Sequence, residues 1–327
     1  MNPITLSICI PTYNRAVYLK ECLDSILPLI KDQENSTELI IFNNASTDAT
    51  EEIVNNFLKQ YPAIPIGYYR HSYNVGPERN FYFCAAIARG EYVWIFGDDD
   101  KMALNAIRTV INKIRDNYDL YICNYEIWSS DFAKMNKKQK YNFGNIVIKD
   151  HNCLLERFYG NLGFISSIII KRTLLLSIPL LTYLKFAKYN LSFLIAICHA
   201  VFNKCNALFI SDPLVRYRGD NSLAPDWTNI FVKGSACVCE ELRNMGYSSL
   251  SVNKTKNNII RDYIIHRIIY ERTNGGNINY LFDTLSRYYK DCWSFWFICW
   301  PLIVMPISLL NLLRFIYKKI KNETKSL

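Results

Sequence analysis

Short apolar runs alternate with helical patterns along the first third of the chain. Apolar runs of strand length occupy residues 4–10, 39–42, 66–70 and 92–96, and each ends in a polar loop. Apolar residues at helical spacing follow the first two loops. This alternation is typical of parallel strands joined by right-handed crossovers. The pattern therefore predicts an α/β fold with a mostly parallel sheet flanked by helices, whose polar loops line one crevice.

The fourth apolar run ends at Gly97 and three consecutive acids, Asp98, Asp99 and Asp100. Ligands bind beyond the carboxyl ends of strands in open α/β sheets, so this stretch is the first candidate for a site. Adjacent carboxylates repel one another, and a fold that holds three of them together normally holds a cation with them. The alternative is a solvated turn in which Asp100 caps a helix that begins near residue 103.

Composition and charge narrow the classes of protein and partner. The 327 residues are half apolar and 14% aromatic, which predicts a folded chain with one large or two ordinary domains. The formal net charge of +9 suits phosphates or an acidic lipid surface, and no nucleic-acid partner is expected. Eleven cysteines without paired spacing, and no secretory signal pattern, predict a cytosolic catalytic half. Further strands are predicted at 119–125 and 164–170.

Four motifs, in this order, resemble those of glycosyltransferase family 2 with the GT-A fold. They are PTYNR at 11–15, NASTD at 44–48, NVG at 74–76 and the acidic strand end at 98–100. The likeness is nearest to bacterial O-antigen enzymes of the abequosyltransferase kind, which also share WIFG at 94–97 and RGDN at 218–221. The resemblance implies transfer of a sugar, such as the 3,6-dideoxyhexose abequose from a CDP donor, to a polyprenyl-diphosphate-linked O-antigen oligosaccharide.

The resemblance also implies roles for individual residues. Asp99 corresponds to the last acid of the family's D-x-D motif and is the first candidate ligand for Mg²⁺ or Mn²⁺, with Asp100 beside it as a metal residue. The metal would bridge the donor diphosphate and neutralise charge on the leaving group. Contacts to the nucleotide sugar are expected from nine residues: Pro11, Tyr13, Arg15, Asn43, Asp48, Asn74, Gly76, Arg79 and Asp98.

The chain departs from the family pattern in three ways. Asn43 and Gly97 stand where the family usually has an acid, and residues 160–210 lack the Glu-Asp pair that usually supplies the general base. Asp220 and Asp98 are the candidate catalytic residues, and Asp220 fits a base, an extra metal ligand or a turn residue. His199 lies in an apolar helix and fits a core histidine better than a base. The stereochemical outcome, inverting or retaining, stays open.

Two other functions fit the same residues. A non-catalytic protein that binds a nucleotide sugar or a glycan on this scaffold is compatible with the missing Glu-Asp pair and with Gly97. The other is a family 2 transferase that uses a different nucleotide sugar. Both alternatives have the same expected fold. They differ from the first function only in the chemistry that takes place at the three consecutive acids.

Helical patterns dominate the last third, so a GT-A domain at 1–225 and a helical region at 226–327 are predicted. Within the latter, a segment at about 293–320 is mostly hydrophobic, contains three tryptophans and two prolines, and leads into a lysine-rich tail. A single membrane crossing would separate that tail from a cytosolic catalytic domain. We therefore predict a peripheral, interfacial segment at the cytoplasmic face of the bacterial inner membrane. The alternative is a buried helix of a soluble dimer.

Overall fold

The computed structural model describes residues 4–31, 33, 36–219 and 227–312. The chain divides into two compact units, Met1–Ala224 and Pro225–Leu327. The first unit contains a β-sheet with helices, and the second contains helices only in its described part. All eleven cysteines are free thiols, as their unpaired spacing predicts.

The strands of the first unit form one mixed sheet. Their bounds are β1 Leu6–Thr12, β2 Thr37–Asn43, β3 Ile66–Arg70, β4 Tyr92–Ile95, β5 Lys101–Met102, β6 Leu120–Trp128, β7 Met135–Lys137, β8 Ile146–Ile148, β9 Ile168–Lys171 and β10 Ala207–Arg218. The strand order is β3-β2-β1-β4-β9-β6-β10-β5, with β7 beside β6 and β8 beside β10.

The first four strands are parallel, as the alternation of patterns predicts. Strand β1 pairs with β2 and with β4, and β2 pairs with β3. Every residue of β1 and β2 is buried, which is why both strands are nearly continuous apolar runs. Thr12 pairs with Asn43 at the carboxyl ends of β1 and β2, so the loops after these strands begin at one edge of the sheet.

The remainder of the sheet is largely antiparallel. Strand β9 lies antiparallel between β4 and β6, and β10 runs parallel to β6. Strand β10 also pairs antiparallel with β5, where Arg216 is opposite Lys101. This pairing brings the carboxyl end of β10 to the loop that follows β4.

Two predicted boundaries near the acids are wrong. The strand predicted at 164–170 begins only at Ile168, because a 3₁₀ turn at Ile165–Ser167 precedes it. The helix predicted near residue 103 begins at Ala106, after β5, with Asn105 at its N-cap. Asp100 therefore precedes β5 and is not the cap of that helix.

The helices are bounded as follows: α1 Ala16–Lys31, α2 Thr50–Gln60, α3 Pro77–Ile87, α4 Ala106–Ile114, α5 His151–Leu162, α6 Arg172–Leu176, α7 Leu180–Leu184, α8 Ser192–Phe202, α9 Ser235–Met245, α10 Ser249–Ile259, α11 Ile265–Thr273, α12 Ile278–Tyr289 and α13 Trp300–Val304. Short 3₁₀ turns occupy Ile165–Ser167 and Ala187–Tyr189. Wider π-type turns occupy Thr228–Gly234, Ile260–Ile264 and Phe295–Cys299.

In the second unit, the hydrophobic segment predicted at 293–320 is described as far as residue 312. It consists of short helical pieces that are interrupted at Pro306, and residues 313–320 lie outside the described ranges. Within those ranges, no helix combines the length and the apolar character that crossing a bilayer requires.

Candidate active site

The acids at the end of β4 form a loop, residues 97–100, that we call the acid loop. Its three carboxylates have different surroundings. Asp98 and Asp100 are 4% and 2% exposed, whereas the side chain of Asp99 is 22% exposed. Of the three acids, Asp99 is therefore the one that solvent or a ligand can reach.

Asp98 is held from the loop that follows β1. Its Oδ2 accepts a hydrogen bond from Thr12 Oγ1 (2.7 Å), and its Oδ1 accepts one from Arg15 Nη1 (3.0 Å). The same Nη1 donates to Asp99 Oδ2 (3.1 Å), so one guanidinium bridges two neighbouring carboxylates. Burial raises the pKa of Asp98 to about 6, and the charge of Arg15 opposes that shift.

Asp100 is held from the opposite side. Its Oδ2 accepts a hydrogen bond from Ser166 Oγ (2.6 Å), and its Oδ1 accepts one from the backbone N–H of Arg218 (3.0 Å). Burial, reinforced by the charge of Asp99, raises the pKa of Asp100 to about 8. The carboxyl group of Asp100 therefore supports the acid loop from inside the protein.

The side chain of Arg218, at the end of β10, pins the backbone of the acid loop. Its Nε donates to the carbonyl oxygen of Asp99 (2.8 Å), and its Nη2 donates to Glu21 Oε2 (2.9 Å) on α1. Its Nη1 donates to the carbonyl oxygen of Ser130. The guanidinium also lies 4.4 Å from the centre of the Phe132 ring, a cation–π contact. This buried cation therefore ties β10, α1 and the loop after β6 to Asp99.

Gly97, at the start of the loop, stands where the family usually has an acid, and its surroundings leave only a tight fit for a side chain. A Cβ at Gly97 would lie 3.1 Å from both Ser166 Oγ and Asp99 Oδ1, and 3.3 Å from Asp100 Oδ2. The hydroxyl of Ser166 accepts a hydrogen bond from the Gly97 N–H (2.9 Å). A side chain at position 97 would therefore require Ser166 or a neighbouring acid to move by a few tenths of an ångström.

The loops after β1 and β2 are joined by hydrogen bonds. Asn14 has a positive φ of 51°, and its Oδ1 accepts from the backbone N–H of Thr47 (2.7 Å). Asp48 accepts from the N–H of Ala16 (2.9 Å), beginning α1, and from the N–H of Thr50 (3.1 Å), beginning α2. Both carboxylate oxygens of Asp48 therefore accept hydrogen bonds from residues that begin helices. The predicted contact of Asp48 with base and ribose stays a prediction.

Two asparagines at the end of β2 tie its loop to neighbouring elements, Asn43 to β3 and Asn44 to the loop at 74–76. Asn43 is fully buried, and its side chain donates to Tyr68 Oη (2.9 Å) and accepts from the N–H of Ser46 (2.8 Å). Asn44 donates to Asn74 Oδ1 (2.9 Å). The side chain of Asn43 is thus engaged within the protein, and base recognition by it stays a prediction.

The other residues that are predicted to contact the nucleotide sugar differ in their exposure to solvent. Pro11 is buried in β1, whereas Tyr13 is exposed. Gly76 has a φ of 86°, which only glycine adopts readily, and its N–H donates to Asn74 Oδ1 (2.8 Å). Arg79 is exposed on the first turn of α3, and its Nη1 donates to the carbonyl oxygen of Val75 (3.3 Å).

The structure brings most, but not all, predicted residues to this edge. The candidate base Asp220 lies outside the described residues. His199 is half-buried in α8. Three residues that hold the acid loop had no predicted role, namely Thr12, Ser166 and Arg218. Arg218 belongs to a motif that the sequence singled out, and Ser166 carries no local signal.

The site fits a metal that is held partly by its substrate. Mg²⁺ is usually bound by one or two carboxylates together with phosphate oxygens and waters. Asp99 offers a partly exposed carboxylate, whereas Asp98 and Asp100 make internal hydrogen bonds. Within the part of the chain that the structure describes, no group of three or more His, Cys, Asp and Glu side chains is placed so that it could hold a metal ion. The predicted metal role of Asp100 stays a prediction.

A buried carboxyl lies directly after the loop at 74–76. Glu78 is in the first turn of α3, and its Oε1 accepts from the backbone N–H of Ser192 (3.3 Å) at the start of α8. The phenol of Tyr183, on α7, is packed beside it. Burial raises the pKa of Glu78 to about 8, and the hydrogen bonds from the start of α8 oppose the shift.

We expect Glu78→Gln to flatten the pH dependence of stability. Since burial raises the pKa of Glu78 above its unfolded value of 4.5, its stabilising contribution is complete below pH 4.5 and is lost as pH rises through about 8. The wild type should therefore lose more free energy of unfolding between about pH 5 and pH 8 than the variant, by roughly 3 kcal/mol. Urea unfolding at both pH values measures this difference. Glu52→Gln, an exposed acid on α2, should match the wild type, and an identical loss in all three proteins would contradict the expectation.

The mixed sheet and the acid loop at the end of β4 are those of a glycosyltransferase with the GT-A fold. The chain belongs to glycosyl transferase family 2, whose model matches residues 7–175. The family and fold that the sequence motifs predicted are thereby confirmed. Membership of this family identifies the protein as a nucleotide-sugar-dependent transferase.

Two relatives are similar to this chain over different lengths. The chain is 34% identical to "Abequosyltransferase RfbV" of Salmonella typhimurium over 233 residues, which are 66% of this chain and 67% of the relative. It is 31% identical to "GalNAc(5)-diNAcBac-PP-undecaprenol beta-1,3-glucosyltransferase" of Campylobacter jejuni over 114 residues. That match covers 35% of each chain.

Solved structures show the same fold at low sequence identity. S. aureus TarS 1–349 in complex with UDP-GlcNAc has a TM-score of 0.62 and 17% identity, covering 87% of this chain and 82% of TarS 1–349. Mannosyltransferase PcManGT from Pyrobaculum calidifontis in complex with GDP-Man and Mn2+ has a TM-score of 0.55 and 13% identity, covering 89% and 82%. Both likenesses bear on the fold alone.

Proposed function

We propose that the protein is a metal-dependent glycosyltransferase that moves a sugar from a nucleoside diphosphate donor to a lipid-linked O-antigen oligosaccharide. The donor sugar is a 3,6-dideoxyhexose such as abequose, carried on CDP. One observation carries the catalytic part of the proposal. A single partly exposed carboxylate, Asp99, stands beside the guanidinium of Arg15 at the end of the central strand β4.

The arrangement suits departure of a diphosphate. In the transfer, the acceptor hydroxyl oxygen bonds to the anomeric carbon of the sugar, and the bond from that carbon to the diphosphate oxygen breaks. The electron pair leaves on the nucleoside diphosphate, and the hydroxyl proton passes to a base. Mg²⁺ or Mn²⁺ bound at Asp99 would neutralise the charge that accumulates on the leaving group.

The protein's own groups supply position and fixed charge. Arg15 can donate charge-assisted hydrogen bonds to phosphate oxygens from its place beside Asp98 and Asp99. Thr12 and Ser166 hold the flanking acids, so the loop needs little rearrangement when charge develops. Asp220 stays the candidate base on sequence grounds.

The identity of the donor and of the acceptor is supported by the names of relatives. The 34% identical relative is an abequosyltransferase, and the Campylobacter relative is named for a substrate on undecaprenyl diphosphate. An acceptor of that kind lies in a membrane. We accordingly place the reaction at the cytoplasmic face of the bacterial inner membrane, with the protein bound peripherally.

A panel of nucleotide sugars tests this proposal. CDP-, UDP-, GDP- and dTDP-linked sugars are incubated with the protein, lipid-linked acceptor and either Mg²⁺, Mn²⁺ or EDTA, and released nucleoside diphosphate is measured. We expect the highest release from a CDP-linked dideoxyhexose, and a loss of at least about a hundredfold in EDTA. Full activity in EDTA would contradict the metal, and preference for another donor would contradict the CDP sugar.

The panel also separates catalysis from binding alone. The absent Glu-Asp pair is the feature that favours a non-catalytic binder. Such a protein would bind a nucleotide sugar in calorimetry and release no nucleoside diphosphate with any donor. That result would contradict the proposed transferase.

A further inference from the structure

The last described part of the chain exposes an unusual amount of apolar surface. Eight of the 21 exposed large hydrophobic side chains in the described residues lie within residues 293–312, and they are 42–76% exposed. They are Trp293, Trp296, Phe297, Trp300, Val304, Ile307, Leu309 and Leu312. Contiguous exposed patches of this kind mark interaction surfaces, since scattered single residues are the ordinary case.

Six of these residues follow one another along this segment. The first five, from residue 293 to residue 304, are separated by three, one, three and four residues, which keeps them on one face of a helical path, and Ile307 follows the break at Pro306. We call these six residues, 293, 296, 297, 300, 304 and 307, the apolar stripe. Among the residues between them, Phe295 and Cys299 are fully buried and Ile303 is 8% exposed, so these three side chains point inward. The segment is therefore folded with one face packed and the stripe outward.

A side chain from α11 fixes the corner in this segment. Arg272 donates to the carbonyl oxygens of Leu302 (3.1 Å) and Met305 (2.6 Å), and also to that of Ile303. These carbonyls lack helical partners because the helix ends before Pro306. Arg272 thus stabilises a bend between two short helical pieces, a geometry suited to lying along a surface.

The amino-acid composition around the apolar stripe favours a lipid bilayer, rather than another protein or water, as the partner of the stripe. Residues 292–322 contain no Asp or Glu and contain four basic residues, Arg314, Lys318, Lys319 and Lys321. Half-exposed tryptophans are typical of the bilayer interface, where an apolar ring and a polar N–H are both accommodated. A basic, acid-free sequence next to such rings is attracted to anionic headgroups.

We propose that the apolar stripe seats this protein on the surface of an anionic lipid bilayer, with its tryptophans at the level of the headgroups. The inference rests on the peripheral placement in the proposed function, names the surface and the lipid for it, and holds whichever sugar the enzyme transfers. Its test needs neither donor nor acceptor, so its failure and that of the proposed reaction are distinguishable.

Vesicle binding by the full chain tests the proposal. The protein is sedimented with vesicles of phosphatidylcholine alone and with vesicles containing one quarter phosphatidylglycerol. We expect binding to the anionic vesicles that falls as salt is raised, and tryptophan fluorescence that is quenched by lipids brominated near the headgroups. Equal recovery in the pellet with and without anionic vesicles would overturn the proposal.

Two double variants locate the surface. Phe297→Ser with Val304→Ser removes two of the most exposed side chains of the stripe, and Leu181→Ser with Leu250→Ser removes two exposed leucines elsewhere. The first pair should weaken partitioning at least about tenfold, and the second should stay within about twofold of the wild type. All four residues are exposed, and circular dichroism checks that both variants fold. Unchanged vesicle binding by the stripe variant, or a change only in its oligomeric state, would contradict a lipid partner.

Discussion

Asp99→Ala is expected to lower nucleoside diphosphate release by at least about a hundredfold, the scale of losing one main electrostatic contact to the transition state. Asp99 is the exposed acid of the acid loop, and a metal without its carboxylate would be held by the donor alone. The variant should fold normally, because the change removes one of three adjacent like charges. Initial rates with the preferred donor, together with the thermal midpoint, measure both effects.

Asp24→Ala is the matched control for Asp99→Ala. Asp24 is an exposed acid on α1 whose carboxylate pairs with Lys20 at the surface (2.7 Å). Its removal should leave the rate within about twofold, because exposed ion pairs contribute little. Transfer by Asp99→Ala at a rate similar to that of Asp24→Ala would contradict the proposed metal ligand.

Arg218→Met should have the largest effect on stability, about 3 kcal/mol, because it removes a buried guanidinium whose hydrogen bonds join the acid loop to α1 and to the loop after β6. The side chain of Arg218 is 3% exposed and donates to the carbonyl of Asp99 and to Glu21. Without Arg218 the backbone carbonyl of Asp99 is no longer held in place. Activity should fall as well, since Asp99 is the proposed metal ligand. Urea unfolding and initial rates measure the two losses.

Arg216→Met, two residues earlier on β10, is the control for Arg218→Met. Arg216 is partly exposed and its Nε lies 3.4 Å from Glu126 Oε2, so its loss should cost less than about 1 kcal/mol. Arg218→Lys should not rescue stability, because one ammonium group cannot reproduce the planar fork of the guanidinium. Equal destabilisation by the 216 and 218 variants would mean that Arg218 does not pin the acid loop.

The strands that carry the site were predictable because they are buried and parallel. Strands of this kind are continuous apolar runs, and β1 to β4 begin and end within two residues of the predicted positions. The acid loop was predictable for a related reason, since a polar sequence after such a run marks the carboxyl edge of the sheet.

The supports of the acid loop could not be predicted from local patterns. Asp100 bonds Ser166 and Arg218, which are 66 and 118 residues away along the chain. Those contacts exist because β9 and β10 join the sheet out of sequence order, which hydrophobic periodicity does not encode. The same limit applies to Gly97, where a Cβ would lie 3.1 Å from Ser166 Oγ.

The loops after β1 and β2 show a different limit. Asp48 and Asn43 have the residue types that bind a nucleotide, and the motif suggested that use. In the structure the oxygens of Asp48 accept from the starts of α1 and α2, and Asn43 bonds Tyr68 and Ser46. A polar side chain in a motif can position the loop or contact the ligand, and only the three-dimensional contacts distinguish the two.

Anomalous diffraction from manganese tests the central claim most directly. Crystals of the full chain are grown with MnCl₂ and the nucleoside diphosphate that the donor panel selects. We predict a manganese peak within about 2.2 Å of a carboxylate oxygen of Asp99 and of the diphosphate oxygens. A nucleotide bound in the crevice with no manganese at Asp99, or with manganese elsewhere, would contradict the proposed mechanism.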